Sequence, residues 1–259
     1  MIELSFSKYE GAGNDFIVVD DRASFFPSGD ADLISRLCDR RFGVGADGVL
    51  LLQNDLQADA RMRIFNSDGS EAEGCGNGVR CFVRFLEDLG IDRAVHRVAV
   101  GEKILSAEMV DGQVRVEMGA VSGWDSHWID GQEVHFVDSG VPHAVCFVPD
   151  VGAVPLHEIG PILRSHPLFG PRGANVNVAA AGQNFVRVRT FERGVEGETQ
   201  ACGTGATAVA VIGARVYGWD SPVRICYPGG DLEIHFDGSF SRIWMAGPAR
   251  KVFDGKGLF

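Results

Sequence analysis

Two cysteines stand in closely similar surroundings half a chain apart, and both surroundings favour acid–base chemistry. Cys75 lies in a Gly-rich turn, and the apolar segment that follows it at helical spacing stops at Gly90. Cys202 lies in a similar turn, and the apolar run after it stops at Gly218. The cysteines precede these glycines by 15 and 16 residues. The unpaired N–H groups and positive dipole at a helix start lower the pKa of a thiol and bind carboxylates, so the sequence predicts two activated thiols.

The presence of two such thiols limits the reactions that the protein could catalyse. A cysteine hydrolase needs one Cys and one His, and Glu73 and Gln200 replace the first glycine of a GxCxG nucleophile elbow. A redox function of the two cysteines remains an alternative, although redox dithiols normally use neighbouring cysteines or CxxC spacing. Inversion of a carbon acid does require two opposed thiols, because one removes a proton and the other delivers one to the opposite face. Helix N–H groups aimed at the carboxylate would stabilise the carbanion.

The elements that position the two cysteines follow the same order in each half. Leu4–Asp20 predicts two strands joined by a turn that presents Asn14, and Asp30–Arg41 predicts an amphipathic helix. The other predicted strands of this half are 49–53, 60–66, 95–100, 103–110 and 113–118, with a helix from 79 to 89. The second half repeats the order with strands 132–138, 144–148, 175–178, 185–192, 223–227, 231–236 and 241–246, and with helices 156–164 and 206–217.

The segment Gly119–Asp130 has no clear periodicity and is interpreted as a connector, which places the domain boundary there. The predicted domains are 1–118, completed by the C-terminal segment 249–259, and 119–248. Between the first helix and the next strand, Gly43–Gly48 matches GxGxxG. A dinucleotide-binding fingerprint must follow a strand and open a helix, so these glycines are interpreted as a helix-to-strand turn.

Composition excludes several classes of protein. At 259 residues, with 45% apolar and 23% charged residues, the chain is typical of globular proteins. A net charge of −11 argues against nucleic-acid and anionic-membrane partners, which require basic patches. No apolar run approaches a membrane span, and residues 1–8 lack a signal-peptide core, so we expect a cytoplasmic protein with reduced cysteines. No CxxC pair is present, so we expect no metal site.

Three stretches carry a family resemblance. Residues 8–16 (KYEGAGNDF), 66–81 (NSDGSEAEGCGNGVRC) and 192–205 (ERGVEGETQACGTG) resemble the motifs of diaminopimelate epimerase, and so do Pro142–His143 and Pro228–Gly230. The resemblance runs from end to end. It implies a cofactor-independent epimerase that interconverts LL- and meso-2,6-diaminopimelate, an amino-acid substrate of lysine and cell-wall synthesis. It also implies an α/β fold of two pseudo-symmetric domains, each a β-barrel-like sheet around a central helix, with the active site in the cleft between them. We further expect a homodimer.

The resemblance also implies roles for individual residues. Cys75 and Cys202 would form the acid–base pair and exchange roles with reaction direction, assisted by His143 and Glu192. The residues that would hold the reacting carboxylate are Gly76, Asn77, Gly203 and Thr204. Those that would bind the rest of the substrate are Asn14, Asn66, Asn175, Glu192 and Arg193. Val141 and Gly48 depart from the family pattern, in which an asparagine and a glutamine often contact the distal end of the substrate.

Two other functions remain open. Another two-cysteine racemase of the same fold would act on proline, hydroxyproline or histidine, and Arg193 would distinguish it by pairing with a second carboxylate that these substrates lack. A non-catalytic thiol sensor or binding protein would catalyse no solvent isotope exchange with any amino acid.

Overall fold

The computed structural model describes residues 2–72 and 76–259, which form two compact units. Unit 1 contains the residues up to Val116 together with Gly247–Phe259, and unit 2 is Glu117–Ala246. No helix in the described ranges is long and apolar enough to cross a membrane. In chain order the elements are β1 (Glu3–Gly11), β2 (Asn14–Asp20), α1 (Ala31–Cys38), β3 (Gly48–Gln53), β4 (Ala60–Asn66), α2 (Gly76–Asp88), β5 (His96–Val100), β6 (Lys103–Val110), β7 (Gln113–Glu117), β8 (Ser122–Ile129), β9 (Gln132–Asp138), β10 (Pro142–Phe147), α3 (Leu156–Arg164), β11 (Asn175–Ala181), β12 (Val186–Glu192), β13 (Gly197–Thr199), α4 (Gly203–Tyr217), β14 (Val223–Tyr227), β15 (Gly230–Phe236), β16 (Ile243–Gly247) and β17 (Arg250–Leu258).

The strands of unit 1 form one mixed sheet in the order β17–β1–β2–β3–β4–β5–β6–β7. The pairs β2/β3 and β4/β5 are parallel, and their crossover connections contain α1 and α2. Helix α2 contacts strands as far apart as β17 and β6, so the sheet wraps around it. Its apolar side chains recur at positions 79, 82, 83 and 86, and all four are fully buried against the sheet.

Helix α1 covers the other face of this sheet. Asp30 caps its start by accepting a 2.9 Å hydrogen bond from the N–H of Leu33, and Leu33, Ile34 and Leu37 are buried. The chain then passes through a turn into β3. Gly45 lies there at a φ of 82°, and a Cβ atom on Gly43 would lie 1.9 Å from the carbonyl oxygen of Arg36. The interpretation of Gly43–Gly48 as a helix-to-strand turn is therefore confirmed.

Unit 2 has the same topology. Its strand order is β8–β9–β10–β11–β12–β14–β15–β16, with β13 added beside β12. The parallel pairs β10/β11 and β12/β14 occupy the same places as those of unit 1, and their connections contain α3 and α4. Helix α4 contacts β9, β10, β11, β14 and β15 and ends at the left-handed Gly218. The predicted class, two pseudo-symmetric α/β units each built around a central helix, is confirmed.

Three strands were not foreseen. The interpretation of Gly119–Asp130 as a connector is wrong, because β8 lies there and pairs with β9. Its side chains are almost all exposed and only Ile129 is buried, so the sequence lacks the alternation that marks a strand. The C-terminal strand β17 is likewise mostly exposed and contains two glycines. The short strand β13 follows a tight turn after β12.

Helix ends also differ from the predictions. The predicted helix Asp30–Arg41 ends earlier, at Cys38, because the Asp39 carboxylate accepts 2.7 Å hydrogen bonds from the N–H groups of Arg41 and Phe42 and holds a turn. Helices α2 and α4 begin three residues earlier than predicted, at Gly76 and Gly203. Glycines in a first helical turn carry no apolar signal.

Candidate active site

Cys202 stands at the start of α4, as the sequence predicts. It is the N-cap residue, in an extended conformation with φ −127° and ψ 111°, and its side chain is buried at 5% exposure. Gly203 and Gly205 open the helix where space is short. A Cβ atom would lie 2.7 Å from Met245 Sδ at the first position and 2.5 Å from Asn177 Oδ1 at the second. Glycine at these two positions leaves room for the side chains of Met245 and Asn177 against the start of the helix.

Glu192 lies at the end of β12, beside the thiol. Its carboxylate accepts hydrogen bonds from Thr199 Oγ1, at 2.9 Å, and from the Cys202 side chain. Burial raises the pKa of Glu192, and these two hydrogen bonds oppose the rise without cancelling it. A carboxyl group of raised pKa in contact with a thiol is suited to exchange a proton with it.

His143, near the start of β10, is fully buried beneath the start of α4. Its Nε2 lies 2.9 Å from Thr204 Oγ1, and that hydroxyl lies 3.5 Å from Cys202 Sγ. Burial, together with the charge of Arg193, lowers the pKa of His143 to about 3. The imidazole is therefore neutral at physiological pH. It can orient hydrogen bonds around the thiol but brings no positive charge to it.

Asn175 and Arg193 lie next to this group. Asn175 is opposite His143 in the β10/β11 register, and its Oδ1 accepts a 2.8 Å hydrogen bond from the backbone N–H of Arg193. The Arg193 guanidinium donates a long, 3.4 Å hydrogen bond to the carbonyl of Arg172. Hydrogen bonds from the Gly194 N–H and from Arg164, together with the charge of Arg193, lower the pKa of the Glu196 carboxyl. The planar guanidinium fork is suited to bidentate pairing with a carboxylate.

The corresponding strand ends of unit 1 carry a second set of predicted residues. Phe16 on β2 pairs with Gly48 on β3, and Gly48 pairs with Asn66 at the end of β4. Asn14 Nδ2 donates a 2.6 Å hydrogen bond to Asp47, while Asn14 Oδ1 accepts one of 3.4 Å from Asn77. The structure thus brings together two of the predicted substrate-binding asparagines.

Asn66 is held differently. It is exposed, and its Nδ2 donates a 3.0 Å hydrogen bond to Ser70 Oγ within the turn that follows β4. Gly76 is the first residue of α2. Cys75, the predicted partner of Cys202, lies outside the described residues.

A charged cluster supports Asn14, and the sequence interpretation did not include it. Arg40 bridges Asp15 and Asp47 at 2.7 and 2.8 Å, and Lys8 lies 2.7 Å from Asp15. Burial alone would raise the pKa of Asp15, but hydrogen bonds from Arg40 and Lys8 outweigh it and lower that pKa to about 2. The signal was present as two Gly-x-Gly turns, each followed within two residues by an aspartate.

The sequence did not predict a buried polar cluster behind Cys202. The cluster contains Asn177, Thr190 and Tyr227, and Tyr227 donates a 3.1 Å hydrogen bond to the Cys202 carbonyl.

No group of three or more His, Cys, Asp or Glu side chains in the described part of the chain is arranged to hold a metal.

Comparison with known proteins identifies the family to which this chain belongs. A sequence model of the family described as diaminopimelate epimerase matches residues 6–124 and 135–252. The chain belongs to the diaminopimelate epimerase family. The motifs around Asn14, Cys75 and Cys202 therefore reflect true family membership, and the resemblance found in the sequence is confirmed.

Relatives named diaminopimelate epimerase match along almost their whole length. The protein of Synechocystis sp. is 40% identical over 281 residues, which cover 98% of each chain. That of Methanocella arvoryzae is 42% identical over 275 residues, covering 99% of this chain and 97% of the relative. That of Ralstonia nicotianae is 42% identical over 285 residues, covering 98% and 96%.

Solved structures share the fold of this diaminopimelate epimerase family member. A phenazine biosynthesis protein of the PhzF family from Bacillus anthracis has a TM-score of 0.76 at 16% identity, with 100% of both chains covered. A probable proline racemase from Agrobacterium radiobacter K84 has a TM-score of 0.70 at 15% identity, covering 99% and 93%. These likenesses show the fold alone.

Proposed function

We propose that this chain is an isomerase that interconverts LL- and meso-2,6-diaminopimelate, with Cys75 and Cys202 as the two proton carriers. The observation that carries the proposal is the contact of the Cys202 thiol with Glu192 at the start of α4. The family match and the three relatives of 40–42% identity support the substrate. Cofactor-independent catalysis follows from the same family.

The reaction needs a base and an acid on opposite faces of the α-carbon. In one direction the Cys202 thiol first gives its proton to Glu192, and the resulting thiolate removes the α-proton of the substrate. The Cys75 thiol delivers its own proton to the opposite face and is left as a thiolate. The sulfur atoms exchange these roles in the reverse direction. The proton count balances, because one proton enters the substrate for each that leaves.

The carbanion between these steps carries charge into the substrate carboxylate. The backbone N–H groups of Gly203 and Thr204, in the first turn of α4, lack intrahelical acceptors and would donate to that carboxylate. Gly76 and Asn77, the first residues of α2, would hold the same carboxylate, as the family resemblance implies. Glu192, placed beside Cys202, would also contact the substrate.

The distal amino-carboxylate end needs separate contacts. Arg193 would pair with the second carboxylate, because its guanidinium fork suits bidentate recognition. Asn175 holds the backbone of Arg193 and so orients it. Asn14 and Asn66 would bind the remaining polar atoms of the substrate.

The product would serve lysine and peptidoglycan-precursor synthesis. We expect a homodimer working in the cytoplasm. Sedimentation of the purified protein would test the dimer, and a single species of about 28 kDa would contradict it.

A coupled assay with LL-diaminopimelate tests the proposed function most simply. We expect turnover with LL-diaminopimelate and none with L-proline, trans-4-hydroxy-L-proline or L-histidine. Turnover confined to one of those three would favour a racemase of the same fold. The absence of solvent isotope exchange with all four would favour a thiol sensor or binding protein.

A further inference from the structure

The side chain of Asn177 is fully buried on β11 and makes three hydrogen bonds. Its Oδ1 accepts one of 2.8 Å from Thr190 Oγ1, and its Nδ2 donates one of 3.0 Å to the carbonyl of Ala144. A carbonyl oxygen can only accept, so this second bond fixes which end of the amide carries the nitrogen. The same Nδ2 lies 3.0 Å from His143 Nδ1. That ring nitrogen must therefore accept a hydrogen bond and cannot carry a proton.

The tautomer of His143 follows from this contact. A neutral imidazole with an unprotonated Nδ1 carries its proton on Nε2. Nε2–H then donates to Thr204 Oγ1 at 2.9 Å. Because that oxygen already accepts from the ring, its own proton is free to point toward Cys202 Sγ, 3.5 Å away. Asn175 Nδ2 lies 3.4 Å from Nε2 and donates instead to the carbonyl of Pro142.

Close packing keeps the Asn177 amide in place. Asn177 is paired with Thr190 in the β11/β12 register, and a Cβ atom on Gly205 of α4 would lie 2.5 Å from Asn177 Oδ1. Tyr227 OH lies 3.4 Å from Thr190 Oγ1 and donates to the Cys202 carbonyl. The cluster therefore contacts the backbone of Cys202 directly, and through His143 it is connected to the hydroxyl beside the Cys202 sulfur.

We propose that Asn177 is a positioning residue that holds His143 as the Nε2–H tautomer and thereby directs the Thr204 hydroxyl proton toward the Cys202 sulfur. The inference rests on the proposed function only in treating Cys202 as a proton carrier. A hydrogen bond donated to sulfur stabilises the thiolate over the thiol. The charged and titratable groups around this chain of contacts are Cys202, Glu192, Arg193 and Tyr227.

The tautomer can be observed directly in the ligand-free protein. Nitrogen-15 NMR of the protein labelled at histidine distinguishes a protonated from an unprotonated ring nitrogen, and His143→Gln identifies the signals. We expect a protonated Nε2 and an unprotonated Nδ1 in the wild type. In Asn177→Asp the new carboxylate accepts from Nδ1–H, so the tautomer should reverse. A wild-type His143 protonated at Nδ1, or an unchanged tautomer in Asn177→Asp, would overturn the inference.

Kinetics separate positioning from folding. Asn177→Asp and Asn177→Leu should lower kcat by a factor on the order of 10², with KM changed less than about twofold, since a misplaced reacting group costs that much. The acidic limb of the kcat/KM profile should move to higher pH in Asn177→Leu. Asn184→Asp, the same change in an exposed turn, is the control and should behave as wild type. Equal kcat in all variants would overturn the inference.

The two measurements also separate this inference from the proposed function. If the wild type fails to turn over LL-diaminopimelate, the proposed function fails, while the NMR experiment still decides the role of Asn177. If the wild type is active and its His143 carries the other tautomer, the inference alone fails. A variant that does not fold is detected by circular dichroism, and Asn177→Ser then replaces it, with the same expected loss of the His143 contact.

Discussion

His143 Nε2 and Thr204 Oγ1 lie 2.9 Å apart, which joins a fully buried imidazole to the first turn of the helix that starts after Cys202. The pKa of this histidine is lowered from 6.5 to about 3, chiefly because burial disfavours the charged ring. In an unfolded chain the ring would regain its ordinary pKa near 6.5. Unfolding must therefore take up a proton at any pH between these two values.

This proton gives the first prediction, a loss of stability in acid. As pH falls from about 6.5 toward 3, the unfolded state binds the proton and the native state does not, so the free energy of unfolding should fall by about 1.4 kcal/mol per pH unit. All four tryptophans lie in unit 2, so their fluorescence in urea reports the unfolding of that unit. His143→Gln should lack this contribution. His157→Gln, at an exposed site on α3, should retain it, and an identical pH slope in all three proteins would contradict the assignment.

The second prediction concerns Glu192, whose pKa is raised by burial. A raised carboxyl pKa contributes stability at low pH, and that contribution is lost as pH rises through the folded-state value. Glu192→Gln should therefore be at least as stable as wild type at pH 7, because it has no buried charge, and the difference should shrink below about pH 4. Activity should nevertheless fall by a factor on the order of 10² or more, as expected when a proton acceptor is removed.

Thermal melting measures the stability of Glu192→Gln, and initial rates measure its activity. Glu158→Gln, on the exposed surface of α3, is the matched control and should alter neither. A Glu192→Gln variant that retained full activity would show that the carboxyl is not needed by the thiol.

The third prediction tests how the distal end of the substrate is held. If Arg193 pairs with the second carboxylate, Arg193→Ala should weaken binding by about 2–5 kcal/mol, on the scale of a broken charge-assisted pair. Isothermal titration with diaminopimelate measures this loss. Arg187→Ala, which removes an exposed arginine from β12, the strand that precedes Arg193, is the control. Unchanged activity on diaminopimelate in Arg193→Ala would favour a substrate with one carboxylate.

Much of this arrangement could be predicted from sequence because the decisive signals are local. The Gly-rich turn at Cys202, the apolar run behind it and the stop at Gly218 place the thiol at a helix start. Repetition of the strand and helix order predicted the two pseudo-symmetric units. Glu192 and His143 were identified through the family motifs, and the structure places both within reach of the same helix turn.

The parts of the site and fold that the sequence did not predict depend on contacts between residues distant in the chain, which no local sequence pattern indicates. Asn177 lies in an Asn-Val-Asn-Val alternation, which predicts that both asparagines share one face but not that the face is buried under α4. Tyr227 looked like an ordinary apolar strand residue, whereas its hydroxyl holds the Cys202 carbonyl. Strand β8 was not predicted because its side chains are exposed on both faces, so the sequence shows no alternation.

The central claim, two separate proton carriers, is tested most directly by isotope content during the first turnovers in D2O. In the forward reaction one cysteine keeps the hydrogen that it removes, while the other delivers a deuteron already exchanged with solvent. Mass spectrometry of the LL- and meso-diaminopimelate pools at initial rate should therefore find deuterium in the product and none in the recovered substrate. Cys75→Ala and Cys202→Ala should each abolish inversion. Equal early labelling of both pools, or a single-cysteine variant that still inverts its substrate, would contradict the two-thiol mechanism.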